Sequence, residues 1–163
     1  MATSVVSENE MFFNAFEPKM QNRFVMYIDG IPSYLVRASG RPILNQPDKA
    51  LPHINLVRYV KGRTVWDPIQ ITLYDPIVPS AAQAAMEWIR LGHESVTGRD
   101  GYADFYKKDI TFNVLGPVGD VVEEWLGKGC FPTQVNFGGM DWNTDDPVTI
   151  TMNLRADYWV LNF

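Results

Sequence analysis

The side chains with the widest chemical reach in this chain are Cys130, His53, His93 and the acids of Asp141-Trp142-Asn143-Thr144-Asp145. That last run opens like a calcium loop, with oxygen donors at alternate positions. Asp146 stands where the sharp bend needs glycine, and Met152 where a bidentate carboxylate belongs, so a turn capped by its own side chains is the better reading. A thiol and an imidazole can form a nucleophile and its base. Cys130, however, lies in a Gly-rich stretch read as a turn, and neither histidine sits in a recognisable motif. Glu123 and Glu124 are neighbours in a strand-like run, so they point to opposite faces and are poorly placed to share a substrate. P-loop, dinucleotide-binding, nucleophile-elbow and HExxH patterns are absent. No catalytic, cofactor or metal-binding residue is therefore assigned, and a structural, non-enzymatic part is expected.

The chain has 163 residues, about one domain's worth, and 46% hydrophobic with 13% aromatic residues is enough for a packed core. A net charge of −5 is the wrong sign for a protein that grips nucleic acid through its phosphates. The single cysteine excludes a disulfide framework and suits a reducing compartment. No apolar run reaches the ~18 residues that cross a bilayer, and Met1 to Glu10 carries acids where a signal peptide carries basic residues. A soluble protein made and kept in cytoplasm, without stable membrane association, is expected.

Among the elements, the most regular is Val148 to Tyr158. Its apolar residues fall on even positions and Thr, Asn, Arg or Asp on odd ones, so one long strand with a buried and a wet face is expected. At about twice the usual strand length, such an element should outgrow its own sheet. Lys108 to Leu115 alternates likewise, with Ile110, Phe112 and Val114 inward; Val121 to Leu126 returns, Gly127 to Gly129 breaks the pairing, and Phe131 to Phe137 resumes. A first hairpin is expected from Arg23 to Ile28 and Ser33 to Ala38 around Asp29-Gly30, and a second from His53 to Val60 and Val65 to Asp75 around Lys61 to Thr64. Ser39 to Pro52, rich in proline and carrying Arg41 and Lys49, reads as a long loop with a function. A single helix is expected over residues 80–92. Ser80 caps it, Gln83 completes a capping box, Ala82, Ala85, Met86 and Ile89 form its buried face, and Trp88 sits at the edge.

Residues 1–10 are small and polar and predict a mobile tail, followed by an arm over 11–22. Met11, Phe12, Phe13 and Phe16 in that arm either tuck onto their own core or dock on a neighbouring subunit, because an exposed aromatic knot is sticky unless covered. The wet faces of the strands carry Gln70, Thr72, Thr149, Thr151 and Asn153, uncharged where an ordinary solvated sheet would use Lys and Glu to discourage aggregation. Sheets joined edge to edge around a ring would lose their edges and could turn that face into a channel lining.

The run Val65-Trp66-Asp67-Pro68-Ile69-Gln70-Ile71-Thr72-Leu73-Tyr74-Asp75, the helix with Glu87-Trp88, Trp125 to Thr133, Met140-Asp141-Trp142 and the closing Leu154 to Trp159 together resemble the major tail tube protein of contractile-tailed bacteriophages. The resemblance covers about Arg23 to Trp159 and places the chain in the tail tube, or Hcp-like, superfamily. It implies a mainly β fold: a sandwich or small barrel of two packed antiparallel sheets with one flanking helix, extended between subunits into a ring-shaped barrel. It also implies hexameric rings stacked inside a sheath, with sheath, baseplate or tube-initiator and tail terminator proteins as partners and DNA as transiting cargo. The machine then belongs to a virion tail assembled in the host cytoplasm. By the same resemblance, Met11 to Glu17 and Gly40 to Pro52 contact stacked rings. The same fold serves tubes of secretion systems, injection particles and tube initiators. From a different class, a monomeric ligand-binding β-barrel closed by the helix and Trp residues stays open, as does a cysteine-dependent hydrolase.

Overall fold

The longest element is β9 (Val121–Asn136), a 16-residue strand that belongs to two sheets in turn. A computed structural model describes residues 17 to 162; residues 1–10 and the aromatic arm residues Met11, Phe12, Phe13 and Phe16 lie outside that range. The first half of β9 lies between β8 (Lys108–Leu115) and β11 (Tyr158–Asn162), and β1 (Phe24–Ile28) adds to the far side of β8. Its second half pairs with β10 (Thr149–Arg155), which pairs with β7 (Ile69–Tyr74), which pairs with β2 (Val36–Ser39). All these pairings are antiparallel. Among the described residues, the path β1-β8-β9-β10-β7-β2 begins at β1 and ends at β2, each paired on one side.

The two sheets face one another across a single core. Met26 and Ile28 from β1, Ile110, Phe112 and Val114 from β8, Ile69, Ile71 and Leu73 from β7, and Ile150, Met152 and Leu154 from β10 are all buried in it. Period-two alternation is the cause: each of these strands presents every second side chain to the opposite sheet. Each fully buried Leu, Ile or Met contributes about 1.5–3 kcal/mol, so strand patterning dominates the stability of the sandwich.

Several expectations change. Gly127 to Gly129 does not break the pairing: Gly127 pairs with Ile110, and β9 runs on through it. A Cβ on Gly127 would lie 2.7 Å from the Trp159 ring, and Gly129 has φ +63, so the two glycines admit the indole and let one strand swing between sheets. The long strand expected at Val148 to Tyr158 is instead β10, of 7 residues, then a corner at Ala156-Asp157 and β11, of 5 residues. The Asp157 N–H donates to the Lys128 carbonyl at 2.9 Å and Lys107 Nζ donates to the Asp157 carboxylate at 2.9 Å, which fixes the corner. The parity of the run holds: even positions are buried and odd ones half-buried through β10.

Neither expected hairpin forms as drawn. After the Asp29-Gly30 turn, where Gly30 has φ +86, a 3-10 turn at Ser33–Leu35 buries Leu35 and carries the chain to the other sheet, so β1 and β2 do not pair. Residues 39–52 are not a loop throughout but include β3 (Leu44–Asn45), paired with β6 (Val65–Trp66), and β4 (Asp48–His53). β4 pairs with β5 (Leu56–Lys61), leaving β7 to take β10 and β2 as partners. Local turn residues mark where a chain reverses; the partner of each strand is set by which face must be buried.

Helix α1 (Ala81–Gly92) starts as expected, with Ser80 Oγ accepting from the Gln83 N–H at 3.4 Å. Asp75 Oδ1, unforeseen, accepts from the N–H groups of Ala81 and Ala82 at 3.1 and 3.3 Å, an anion at the positive end of the helix dipole. The buried face is centred on Ala81, Ala85 and Trp88, so Trp88 is at the middle and not the edge. The indole Nε1–H of Trp88 donates to the Tyr106 carbonyl at 2.6 Å, holding a second short helix, α2 (Ala103–Tyr106), beyond the single helix expected.

Candidate assembly interface

Three features of the described surface are unfinished. The first is the hairpin of β4 and β5, whose residues are all exposed on both faces. It presents Leu51, Ile54, Leu56, Val57, Tyr59 and Val60 to solvent, and no other strand among the described residues pairs with it. An isolated two-stranded ribbon is marginal in water, and an apolar one normally lies against something. Lys49 stands on β4, exposed.

The second is the set of bare edges. Among the described residues, β1, β2 and β11 each pair on one side only. Between the edges of β1 and β2 lies a groove of about 630 Å3, walled by Phe24, Phe112 and Val114 and rimmed by Lys19, Arg23, Arg37 and Arg41. At its end sits Glu123, 3% exposed, whose carboxylate accepts from Lys19 Nζ, Arg41 Nη2 and Trp125 Nε1. Burial raises the pKa of this carboxyl, but the donors and the Arg41 charge outweigh it and hold it at about 2. Glu123 thus ties the start of the described chain and the segment after β2 to the central strand. In the sequence it is legible only as half of an unproductive acid pair. The signal was Trp125, two residues on and so on the same face.

The third feature is the outer face of β9, β10, β7 and β2. Gln70, Thr72, Thr149, Thr151 and Asn153 are brought together there: Asn153 pairs with Gln70 and Gln134, Thr151 with Thr72 and Asn136, and Thr149 with Tyr74. Asn153 Nδ2 donates to Gln134 Oε1 at 3.2 Å, and the Arg37 guanidinium lies 5.6 Å from the centre of the Tyr74 ring. These paired positions carry no carboxylate. The acids Asp141, Asp145 and Asp146 stand instead on the loop between β9 and β10, where Asp141 Oδ1 accepts from Asn143 and Thr144 Oγ1 from Asp146, a turn with side-chain caps.

Arg41, expected in a contact between subunits, is held by Glu123 while its side chain stays 58% exposed. Cys130 sits inside β9, not in a turn, and is wholly buried. Burial, with the charges of Asp109 and Asp157, pushes its thiol up to about 12, which removes the thiolate that a cysteine hydrolase needs. Trp88 on the helix and Trp159 are core residues, not lids over a pocket. No helix among the described residues is long and apolar enough to cross a membrane.

A one-core, two-sheet sandwich with open edges, a flanking helix and a projecting ribbon is the tail-tube, or Hcp-like, fold. The particulars come from solved structures. The chain is similar to the anti-feeding prophage tube-terminating cap, with TM-score 0.76 and 16% identity over 96% of this chain and 99% of that one. It is similar also to the sheath/tube terminator of an extracellular contractile injection system, with TM-score 0.74 and 16% identity over 92% of this chain and 100% of that one. Hcp1 from Flavobacterium johnsoniae shares the fold at TM-score 0.55 and 15% identity, over 86% of this chain and 94% of that one. No protein-family model matches the sequence, and no curated protein matches it either.

Proposed function

We propose that this chain is a self-assembling structural subunit of a contractile tail or injection tube. The observation that carries the reading is the β4–β5 ribbon: an apolar hairpin exposed on both faces is stable only against another surface, and a neighbouring copy offers one. The unpaired edges of β1, β2 and β11 supply the second half of the reading, since edge-to-edge joining of copies removes them. In this role copies close into hexameric rings, rings stack inside a sheath, and Gln70, Thr72, Thr149, Thr151 and Asn153 line the bore. Met11, Phe12, Phe13, Phe16, Arg41 and Lys49 contribute to contacts between subunits. The partners are further copies, sheath protein, baseplate or tube-initiator and terminator proteins, with DNA as transiting cargo in a phage version of the machine. The particle forms in the bacterial cytoplasm and carries the chain in its tail.

A second reading, a terminating cap at the tube's end, is favoured by the likeness to two cap or terminator structures over nearly their full lengths. Negative-stain microscopy of the purified chain separates the outcomes. Tubes of open-ended length support a tube subunit, and single rings that bind only the ends of preformed tubes support a cap. A monomer at high concentration, with no annular species, overturns both.

A further inference from the structure

The turn of the β4–β5 ribbon holds an aliphatic side chain in an unusual place. Ile54 is 92% exposed and has φ +49, the one residue other than glycine with a positive φ among the described residues. A β-branched side chain is disfavoured in that left-handed region, and outliers of this kind gather at functional sites. Leu56 and Tyr59 beside it are also in water. From Asp48 to Arg63 the chain carries Lys49, Arg58, Lys61 and Arg63 against Asp48 alone. None of these cations is paired with a carboxylate among the described residues.

A surface of opposite charge stands on the loop between β9 and β10. That loop bounds a cavity of about 490 Å3, lined by Met140, Trp142, Pro147 and Val148 together with Asp141 and Asp146. Residues 137–148 include Asp141, Asp145 and Asp146 and no Lys or Arg. Trp142 is 104% exposed, and Trp is among the residues most often found at the energetic centre of a protein interface.

Ribbon and cavity belong to opposite ends of β7. The ribbon hangs from the start of that strand: the Gly40 N–H donates to the Gln70 carbonyl, the Asp67 N–H to the Ile43 carbonyl, and Arg155 at the end of β10 to the Trp66 carbonyl. The cavity lies past its finish, where Thr149 pairs with Tyr74 and the Asp75 N–H donates to the Val148 carbonyl. Six residues of strand put about 17 Å between the two. The ribbon is exposed on both faces, so it does not lie in its own chain's cavity. A basic apolar knob at one end and an acidic apolar socket at the other fit as a heterologous, head-to-tail contact between copies, which propagates in one direction.

We propose that Ile54 at the tip of the ribbon of one copy enters the cavity beside Met140 and Trp142 of the next, with Lys49 and Arg58 facing Asp141, Asp145 and Asp146. This rests on the reading of the chain as a self-assembling subunit and gives that assembly its end-to-end anchor and its polarity. Opposite charges steer the encounter, and the covered indole and aliphatic tip supply most of the contact.

Mixing two single-cysteine additions of different mass tests it: Ile54→Cys in an untagged preparation and Trp142→Cys in a tagged one, with Cys130 left in place because it is buried. Mild oxidation is expected to yield the mixed covalent dimer, and none when Val96→Cys replaces Trp142→Cys. Ile54→Gly removes the side chain and suits the positive φ. It is therefore expected to keep or raise the unfolding midpoint while raising the concentration needed for assembly at least about tenfold. Arg58→Glu is expected to weaken assembly likewise and to be rescued by Asp145→Arg with Asp146→Arg. Normal assembly of Ile54→Gly, with no mixed disulfide, overturns the contact and leaves the tube reading intact. A disulfide between two Ile54→Cys chains in place of the mixed one overturns it in favour of a two-fold contact between ribbons. Wild-type protein that never assembles overturns the contact and the tube reading together.

Discussion

Arg41 and Glu123 meet at the end of the groove between β1 and β2, the guanidinium exposed and the carboxylate almost wholly buried. The pair joins the segment leaving β2 to the central strand, and Lys19 and Trp125 complete the shell of donors around the carboxylate. A buried carboxylate with such a shell is stabilising only while charged, so this corner of the molecule is sensitive to acid.

The folded pKa of Glu123, about 2, lies below its ordinary 4.5, so the folded state favours the ionised form. Its contribution is fully present above about pH 4.5 and is lost as pH falls towards about 2. Denaturant unfolding at about pH 5 and about pH 3 should show a drop in stability that Glu123→Gln reduces. At neutral pH the same substitution should cost about 1–3 kcal/mol, because the amide offers Lys19, Arg41 and Trp125 a single uncharged acceptor oxygen where the carboxylate offered two and a charge.

Leu154 is 1% exposed on the inner face of β10. Leu154→Asp places an unpaired charge in the shared core and should leave the protein insoluble or unfolded, well beyond the cost of a lost contact. Soluble, cooperatively unfolding Leu154→Asp protein would show that the inner and outer faces are assigned the wrong way round.

Gly129 combines φ +63 with a position where a Cβ would lie 2.2 Å from the Asp157 carboxylate. Gly129→Ala should destabilise by about 1–3 kcal/mol and loosen the corner before β11, read as a lowered thermal midpoint. An unchanged midpoint would mean that the corner relaxes freely.

Cys130→Ala removes a buried sulfur that packs beside Gly127 and the Trp159 ring. A loss of about 1 kcal/mol with assembly intact is expected, measured by denaturant midpoint and microscopy. Loss of assembly at undiminished stability would point to a functional thiol.

Leu56→Lys with Tyr59→Lys alters the exposed ribbon and touches none of the core. Unfolding should move by no more than about 0.5 kcal/mol while assembly weakens. Equal assembly of the double variant and the wild type would remove the ribbon from the interface.

The inward residues of β8, β7 and β10, the start of α1 at Ser80 and the uncharged character of Gln70, Thr72, Thr149, Thr151 and Asn153 could all be read from residue order, because each depends on side chains two to four positions apart. Pairing partners were less legible. β4 reads as loop because Pro52 and its charges disguise a ribbon wet on both faces, and β9 reads as two strands because its glycines look like a break. The role of Glu123 is hidden in the sequence because its donors Lys19 and Arg41 lie far away in the chain.

The sequence alone determined the class of fold and which side of each regular strand is buried, since period-two patterning is a local property that one chain carries wherever it goes. Tertiary structure decided that one glycine-bent strand serves two sheets, that the last strand turns a corner at Asp157, and that Glu123 gathers Lys19 and Arg41 from distant segments. Those outcomes depend on backbone hydrogen bonds and charge contacts between distant segments, whose partners are chosen only when all the apolar faces compete for the same core.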